Sequence, residues 1–441
     1  MPMLLDLVYL LALLALSPWL LWRAARTGRY RQNLAAKLFG RVRITNPMRK
    51  PVAWFHAVSV GEVNLLGTLV PAFRKRHPDW HVVVSSTTDT GLGEAKRRFT
   101  DLDVIAWPFD FTWAVAWALC AVKPSLVVLA ESELWPNFLA AARQKNVPVV
   151  VVNARVSPRS FRRLKRVAGL ARLLLFRHVT RFAVQEADYT DRLRQLGVTG
   201  TKLVTTGSIK YDGALRTRST PETERLRGLL GLVGPDPSGG SSLVLLAGST
   251  HAPEETTVLD VFARLRTRFP HVKLLLVPRH PDRFEEVVRL VEASQLPFVR
   301  RSTVSTPLAE APAVMLLDTV GELGAAWGLA DVGFTGGSLD GVRGGQSMIE
   351  PAGYGVPCVF GPHVWNFRDA AKRLVEAGGA LMVPDANVLE AELMKLLNDP
   401  DLRARMGRSA RELVQRQQGA TFRTLDVIDS VIPSLAVARA A

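Results

Sequence analysis

The sequence predicts an α/β protein of two doubly wound domains, each a parallel sheet covered by helices. Three observations carry that prediction. Short β-rich runs alternate with helical stretches along most of the 441 residues. The rhythm stops at one polar, Pro- and Gly-bearing stretch and then restarts. The unusual residues gather directly after the strand-like runs, where ligands bind in open α/β sheets. At 48% hydrophobic, a chain of this length supports two cores of ordinary size.

The chain opens on an apolar helix. Leu4 to Trp22 is apolar apart from Asp6 and Ser17, close to the ~20 residues a helix needs to cross a bilayer. Asp6 and Ser17-Pro18 equally fit a helix lying shallowly in the interface. Basic residues follow the apolar run (Arg23, Arg26, Arg29, Arg31, Lys37, Arg41, Arg43, Arg49, Lys50), and no acid occurs between Asp6 and Glu62. A cleaved signal peptide would carry its basic residues first. The expectation is an uncleaved single N-terminal anchor in the plasma membrane, with the body on the cytoplasmic side and the collar against anionic headgroups.

The first set of strands reads Val52–His56, Val82–Ser86, Leu126–Ala130, Val147–Asn153 and Phe182–Gln185. After the first comes HAVSVGE, ending in Glu62, a carboxylate at a helix start where the dipole holds it ionised. That placement suits a general base for a hydroxyl nucleophile. Thr87-Thr88-Asp89 follows the second strand and fits either a polyhydroxy ligand or a helix cap. ESELWPN, opening at Glu131, follows the third. GSIKYD carries Lys210, a point charge for a phosphate or carboxylate, and closes the first domain.

Asp212 to Ser242 is polar and ends in Pro235 to Gly240, which reads as a linker. The second set follows: Leu243–Leu246, Lys273–Val277, Val314–Leu317, Val332–Phe334 and Pro357–Phe360. After these lie Ser249-Thr250, then Pro278-Arg279 with the planar fork that fits phosphate, then Val320-Gly321-Glu322. The glycine turn from Gly336 to Gly345 leads to Gln346-Ser347, Met348, Ile349 and Glu350. Here the backbone can approach a ligand, a helix start favours phosphate, and Glu350 suits a ribose diol. The expected division is 1–24 anchor, 25–212 first domain, 213–242 linker and 243–441 second domain.

Charge and cysteine bound the function. Residues 1–210 hold 31 Lys and Arg against 13 Asp and Glu, so the +16 net charge belongs to the N-terminal half. Leu134–Gln185 contains eleven basic residues and no acid, interleaved with Leu164, Leu170, Leu173, Leu174 and Phe176. Beside an anchor this reads as a membrane-facing, phosphate-binding surface and not as a nucleic-acid site. Cys120 and Cys358 give neither a metal spacing nor a disulfide framework, which fits a reducing compartment. Asp101-Leu102-Asp103 precedes an apolar run instead of ending a strand, and no metal or other cofactor is expected.

The motifs, in this order and over nearly the whole chain, resemble the transferases of 3-deoxy-D-manno-octulosonic acid (Kdo) in lipid A biosynthesis. The matching stretches are HAVSVGE, ESELWPN, NARVSPRS, GSIKYD, AGSTH, VPRHPDRF, DTVGEL, GGS with EPA, and FGPHVWNF. The resemblance implies the GT-B fold, with two Rossmann-like domains facing a cleft. It implies CMP-Kdo as donor, a lipid A precursor as acceptor and inversion at the anomeric carbon, in lipopolysaccharide synthesis at the inner membrane. By position, Glu62 would be the proton acceptor, and Glu131 and Lys210 would stabilise the transition state. Pro278, Arg279, Val320, Gly321, Glu322, Ser347, Met348, Ile349 and Glu350 would bind CMP, with Ser249, Thr250, Gly345 and Gln346 as donor contacts. The chain departs from the family where His-Asn is usual and Gln346-Ser347 stands, and where Met is usual and Val320 stands. Two other readings share the scaffold. One is an enzyme of UDP-sugars, a transferase or epimerase, against which GSIKYD and ESELWPN argue. The other is a catalytically silent membrane-bound anion binder, against which the joint presence of Glu62, Glu131, Lys210, Arg279 and Glu350 argues.

Overall fold

A computed structural model describes residues 2–27, 33–214, 217–232 and 242–432. The chain divides into two compact units, one running to Asp212 and resuming at Gln418, the other Gly213–Gln417.

The first unit holds β1 (Val52–Ala57), β2 (His81–Ser86), β3 (Asp103–Ala106), β4 (Leu126–Ala130), β5 (Val149–Ala154), β6 (Arg181–Val184) and β7 (Leu203–Thr205). They form one parallel sheet in the order β3-β2-β1-β4-β5-β6-β7. The near-continuous Val and Leu of β4 and β5, and the fully buried Val52-Ala53-Trp54-Phe55 of β1, follow from burial on both faces. Alternate residues enter opposite cores: Trp54, Val127 and Leu129 pack on one face, Phe55, Leu126 and Val128 on the other. The strand order reverses between β1 and β4, so the loops leaving these two strands diverge and open a crevice at their carboxyl ends.

The second unit repeats the plan with β8 (Val244–Thr250), β9 (Lys273–Pro278), β10 (Phe298–Arg300), β11 (Val314–Leu316), β12 (Val332–Thr335), β13 (Cys358–Phe360) and β14 (Ala380–Met382). Their order is β10-β11-β9-β8-β12-β13-β14, again parallel. Here the reversal falls between β8 and β12. The strands absent from the sequence reading, β3, β7, β10 and β14, are three or four residues long, lie at sheet edges and are only partly buried.

Two placements differ from the sequence division. The chain returns to the first unit at Gln418, whereas the sequence reading left 243–441 together. The helix Ala420–Asp429 buries Leu425, Val427 and Ile428 in the core shared with Val63, Leu66 and Phe55. Asp212 accepts from the backbone N–H of Gly419 at 2.6 Å and from that of Thr421, and Gln418 donates to the Tyr211 carbonyl at 3.0 Å. The stretch after Asp212 also contains the helix Pro221–Leu229, which buries Leu226 in the second unit. The Pro235–Gly240 run lies outside the described residues.

The N-terminal helix Pro2–Thr27 differs as well. Asp6 is not a flaw in an apolar span but the residue that docks it. Its carboxylate is 7% exposed and accepts from Thr112 N at 3.0 Å, Thr112 Oγ1 at 2.5 Å and Asn137 Nδ2 at 3.1 Å. One turn on, Tyr9 donates to Asp110 at 3.1 Å and meets Phe111 edge-on. Among the described residues no helix is long and apolar enough to cross a membrane. The expected anchor, left open between a spanning and an interfacial helix, is therefore not met in its spanning form.

Candidate functional site

In the first unit the site is built at the reversal point. β1 ends at Ala57, and Ser59 caps the helix Val60–Arg76. Ser59 Oγ accepts from Glu62 N at 3.4 Å, while Glu62 Oε2 accepts from Val58 N at 2.8 Å and Oε1 from Ser59 Oγ at 3.2 Å. This reciprocal capping box fixes the Glu62 side chain. Its environment departs from the expectation of a carboxylate held simply ionised. Burial pushes its pKa up, and the Glu131 charge adds to that, against the hydrogen bonds from Val58 and Ser59 and the charge of Arg155. A carboxylate with a raised pKa is a stronger proton acceptor than a solvated one.

Glu131 is the first residue after β4 and holds a left-handed backbone, φ 57°. Its N–H donates to the Val152 carbonyl of the neighbouring strand at 2.9 Å, which turns the 6%-exposed side chain inward. There the carboxylate lies 2.8 Å from Arg155 Nε and 3.1 Å from Lys210 Nζ. Lys210 stands on the single turn Ile209–Tyr211, pinned by Ile209 N donating to Asn153 Oδ1 at 3.1 Å. Glu131 and Lys210, far apart in the chain, thus meet as a pair.

Two residues here escaped selection from sequence. Arg155 lies inside NARVSPRS, directly after β5, and strand-end position was its available signal. Glu133 lies inside ESELWPN. Burial first, then the charges of Glu62 and Glu131, push its pKa up to about 7. Other motif residues prove structural. Thr88 caps the helix Asp89–Arg98 and donates to the Val58 carbonyl at 2.6 Å, which decides for the cap. His56 is fully buried, stacked on Trp107 at 3.8 Å, and burial lowers its pKa to about 3, so it is neutral. Asp103 begins β3 and binds His81 Nε2 at 2.8 Å, at the sheet end opposite the site.

In the second unit, Ser249-Thr250 end β8, Pro278 ends β9 with Arg279 next, and Gly336 follows β12. A Cβ at Gly336 would lie 2.6 Å from Thr250 Cα, and one at Gly344 (φ +83°) would strike the Trp365 ring. Glycine at both is required for the loop to lie flat. A residue missed from sequence anchors this loop. Glu254 is 1% exposed, and its carboxylate accepts from the N–H groups of His251 (3.1 Å), Gly337 (2.6 Å), Ser338 (2.9 Å) and Leu339 (3.1 Å).

The nucleotide residues expected from sequence divide into groups. Arg279 is exposed, with its N–H on the Thr250 carbonyl at 3.0 Å. Glu350 keeps an open face, yet the surrounding protein pushes its carboxyl up against the pull of Arg279. The expected helix start at Gln346-Ser347 falls instead at Ile349, and the helix Ile349–Gly353 is one short turn. Met348 and Ile349 point into the interior at 0% and 3% exposure, leaving only backbone for a ligand. The Glu322 carboxylate is already held by Arg225 at 2.6 Å, Arg301 at 3.1 Å and Thr319 at 2.5 Å, which keeps its pKa low. Beside it Val320 is 73% exposed and Gly321 has φ +96°, so the free part of this loop is its backbone.

Comparison with known proteins bears on the family and the fold. Residues 25–213 match the family described as 3-deoxy-D-manno-octulosonic-acid transferase. A transferase of that name from Bordetella pertussis is 36% identical, over 96% of this chain and 98% of the relative. Another, from Haemophilus influenzae, is 32% identical over 92% of each. Among solved structures, a UDP-GlcNAc 2-epimerase from Neisseria meningitidis aligns over 87% of this chain and 100% of its own. The TM-score is 0.57 at 12% identity, a likeness of fold alone.

Proposed function

The chain belongs to the 3-deoxy-D-manno-octulosonic acid (Kdo) transferase family, and from that premise we propose that it transfers Kdo from CMP-Kdo to a lipid A precursor with inversion at the anomeric carbon. The observation that carries the reading is the half-buried Glu62 carboxylate at the end of β1, beside Glu131 locked between Arg155 and Lys210. An acceptor hydroxyl is a poor nucleophile at neutral pH. Glu62 takes its proton as oxygen bonds to the anomeric carbon, and the bond from that carbon to the CMP phosphate breaks with both electrons leaving on phosphate. Lys210, aligned by Glu131, supplies positive charge as negative charge develops.

In the second unit Arg279, the exposed backbone of Val320-Gly321 and the backbone from Gly345 to Ile349 hold CMP, with Glu350 on the ribose. Ser249 and Thr250 complete the donor contacts.

The membrane part of the reading rests on the N-terminal helix and the basic helices. Leu4, Leu7, Leu10, Leu11, Leu14 and Trp22 are exposed on several sides of one helix, more apolar surface than a solvated helix carries. The helix Pro158–Arg166 buries no residue and presents Arg159, Arg162, Arg163, Lys165 and Arg166. Together they support attachment to the anionic inner face of the plasma membrane, with the helix lying in the interface.

Glu62→Gln keeps the shape and removes the base. Turnover with CMP-Kdo and a lipid A precursor should fall by about 10²–10⁴, with CMP affinity intact. Retained turnover in Glu62→Gln with abolished turnover in Glu131→Gln would move the base to Glu131.

A further inference from the structure

His251 follows β8 at 3% exposure and takes no part in the chemistry above. Its backbone is fixed by Glu254, and Gly337 lies against its ring. Its Nε2 lies 3.3 Å from Nε2 of Gln346. With the Gln346 amide nitrogen, which only donates, turned toward it, this imidazole nitrogen accepts and the single proton of the neutral ring falls on Nδ1. Burial, with the charges of His280, Arg343 and Arg279 against that of Asp340, lowers the ring pKa to about 4, so the ring is neutral at pH 7. Nδ1 is buried and has no partner among the described residues. A buried donor left unmet is costly and calls for a ligand atom.

We propose that His251, locked by Gln346 in one tautomer, is a hydrogen-bond donor through Nδ1 to an oxyanion of the bound sugar nucleotide. The inference rests on the second unit being the CMP-Kdo site. It gives Gln346 a role where the family usually has histidine. An imidazole at 346 could itself present either a proton or a lone pair, whereas the Gln346 amide nitrogen presents only protons.

The test uses the full chain with ¹⁵N-labelled histidine. Long-range proton–nitrogen spectra should show the His251 proton on Nδ1, and its Nδ1 signal should move on adding CMP. By calorimetry, His251→Ala should weaken CMP about tenfold or more, the size of a hydrogen bond to a charged group. His251→Asn, whose amide nitrogen is as far from Cβ as Nδ1, should regain most of that, and His251→Gln should not. Gln346→Glu should drive the proton to Nε2 and lose CMP affinity with the imidazole still present. Equal losses for CMP and CMP-Kdo would identify the oxyanion as phosphate, and loss for CMP-Kdo alone as the sugar carboxylate. A wild-type proton on Nε2, or affinity for both CMP and CMP-Kdo unchanged in both His251→Ala and His251→Gln, would overturn the proposal. Absence of CMP binding to the wild type would instead overturn the donor-site reading on which it rests.

Discussion

On the proposed reading single residues carry the chemistry, and their environments distinguish them more than their identities do. Glu62, Glu131 and Glu133 are the same residue type within one site. Glu131 is paired with Arg155 and Lys210, while Glu133 is half-buried near the other two carboxylates with its pKa pushed up to about 7. An acid with a raised pKa binds more protons folded than unfolded between its unfolded value, about 4.3, and about 7. Its protonation therefore favours the fold at low pH, and that contribution is lost as pH rises through about 7. Glu133→Gln removes this cost, so its melting temperature should exceed that of the wild type at pH 8. The difference should vanish below about pH 4.3. An equal difference at both pH values would mean that Glu133 is not so perturbed. Sequence showed these acids at strand ends but could not pair Glu131 with Lys210. That contact depends on the left-handed turn at Glu131 and on Asn153 pinning Ile209, neither of which leaves a periodic trace.

At the scale of elements, strands were legible where burial on both faces forces unbroken apolar runs, as in β1, β4 and β5. Three-residue, partly buried strands such as β7 and β14 carry no such pattern. The glycine loop after β12 was legible as a loop, but its anchor was not. Glu254 looks like an ordinary acid in the first turn of a helix, and only the fold aims it at the N–H groups of Gly337, Ser338 and Leu339. Glu254→Ala strands these donors and His251 N, and an unsatisfied buried donor costs about 1–3 kcal/mol. Hydrogen exchange at residues 337–339 should accelerate and CMP affinity should fall. Unchanged protection there would show that the loop holds its shape without Glu254. The N-terminal helix was legible as apolar, whereas Asp6 was not legible as its dock, because Thr112 and Asn137 are over a hundred residues away. Removing the helix would leave Asn137 and Asp110 without these partners, so it is not a detachable appendage.

For the whole molecule, the two-sheet plan was legible and the return of the chain was not. An amphipathic helix reads the same whichever core receives it, and the segment from Gln418 goes to the first. Leu425 is 1% exposed there, so Leu425→Ala should destabilise the first unit by about 2–5 kcal/mol. The melting of isotopically labelled first-unit methyl groups would measure this, and an unchanged midpoint would contradict the packing. The same whole-chain view gathers the charge: the first 210 residues carry the basic excess, and they present the leucine-rich helix, the basic helices and Glu62. On the proposed reading that half takes the anionic lipid acceptor, and the glycine-loop unit the nucleotide donor. The most direct test is incubation of the full-length protein with CMP-Kdo and a lipid A precursor, followed by mass spectrometry of the lipid. The account predicts a lipid heavier by one or more Kdo residues with the wild type and an unmodified lipid with Glu62→Gln on the same timescale. An unmodified lipid with the wild type, or equal modification by both proteins, would contradict it.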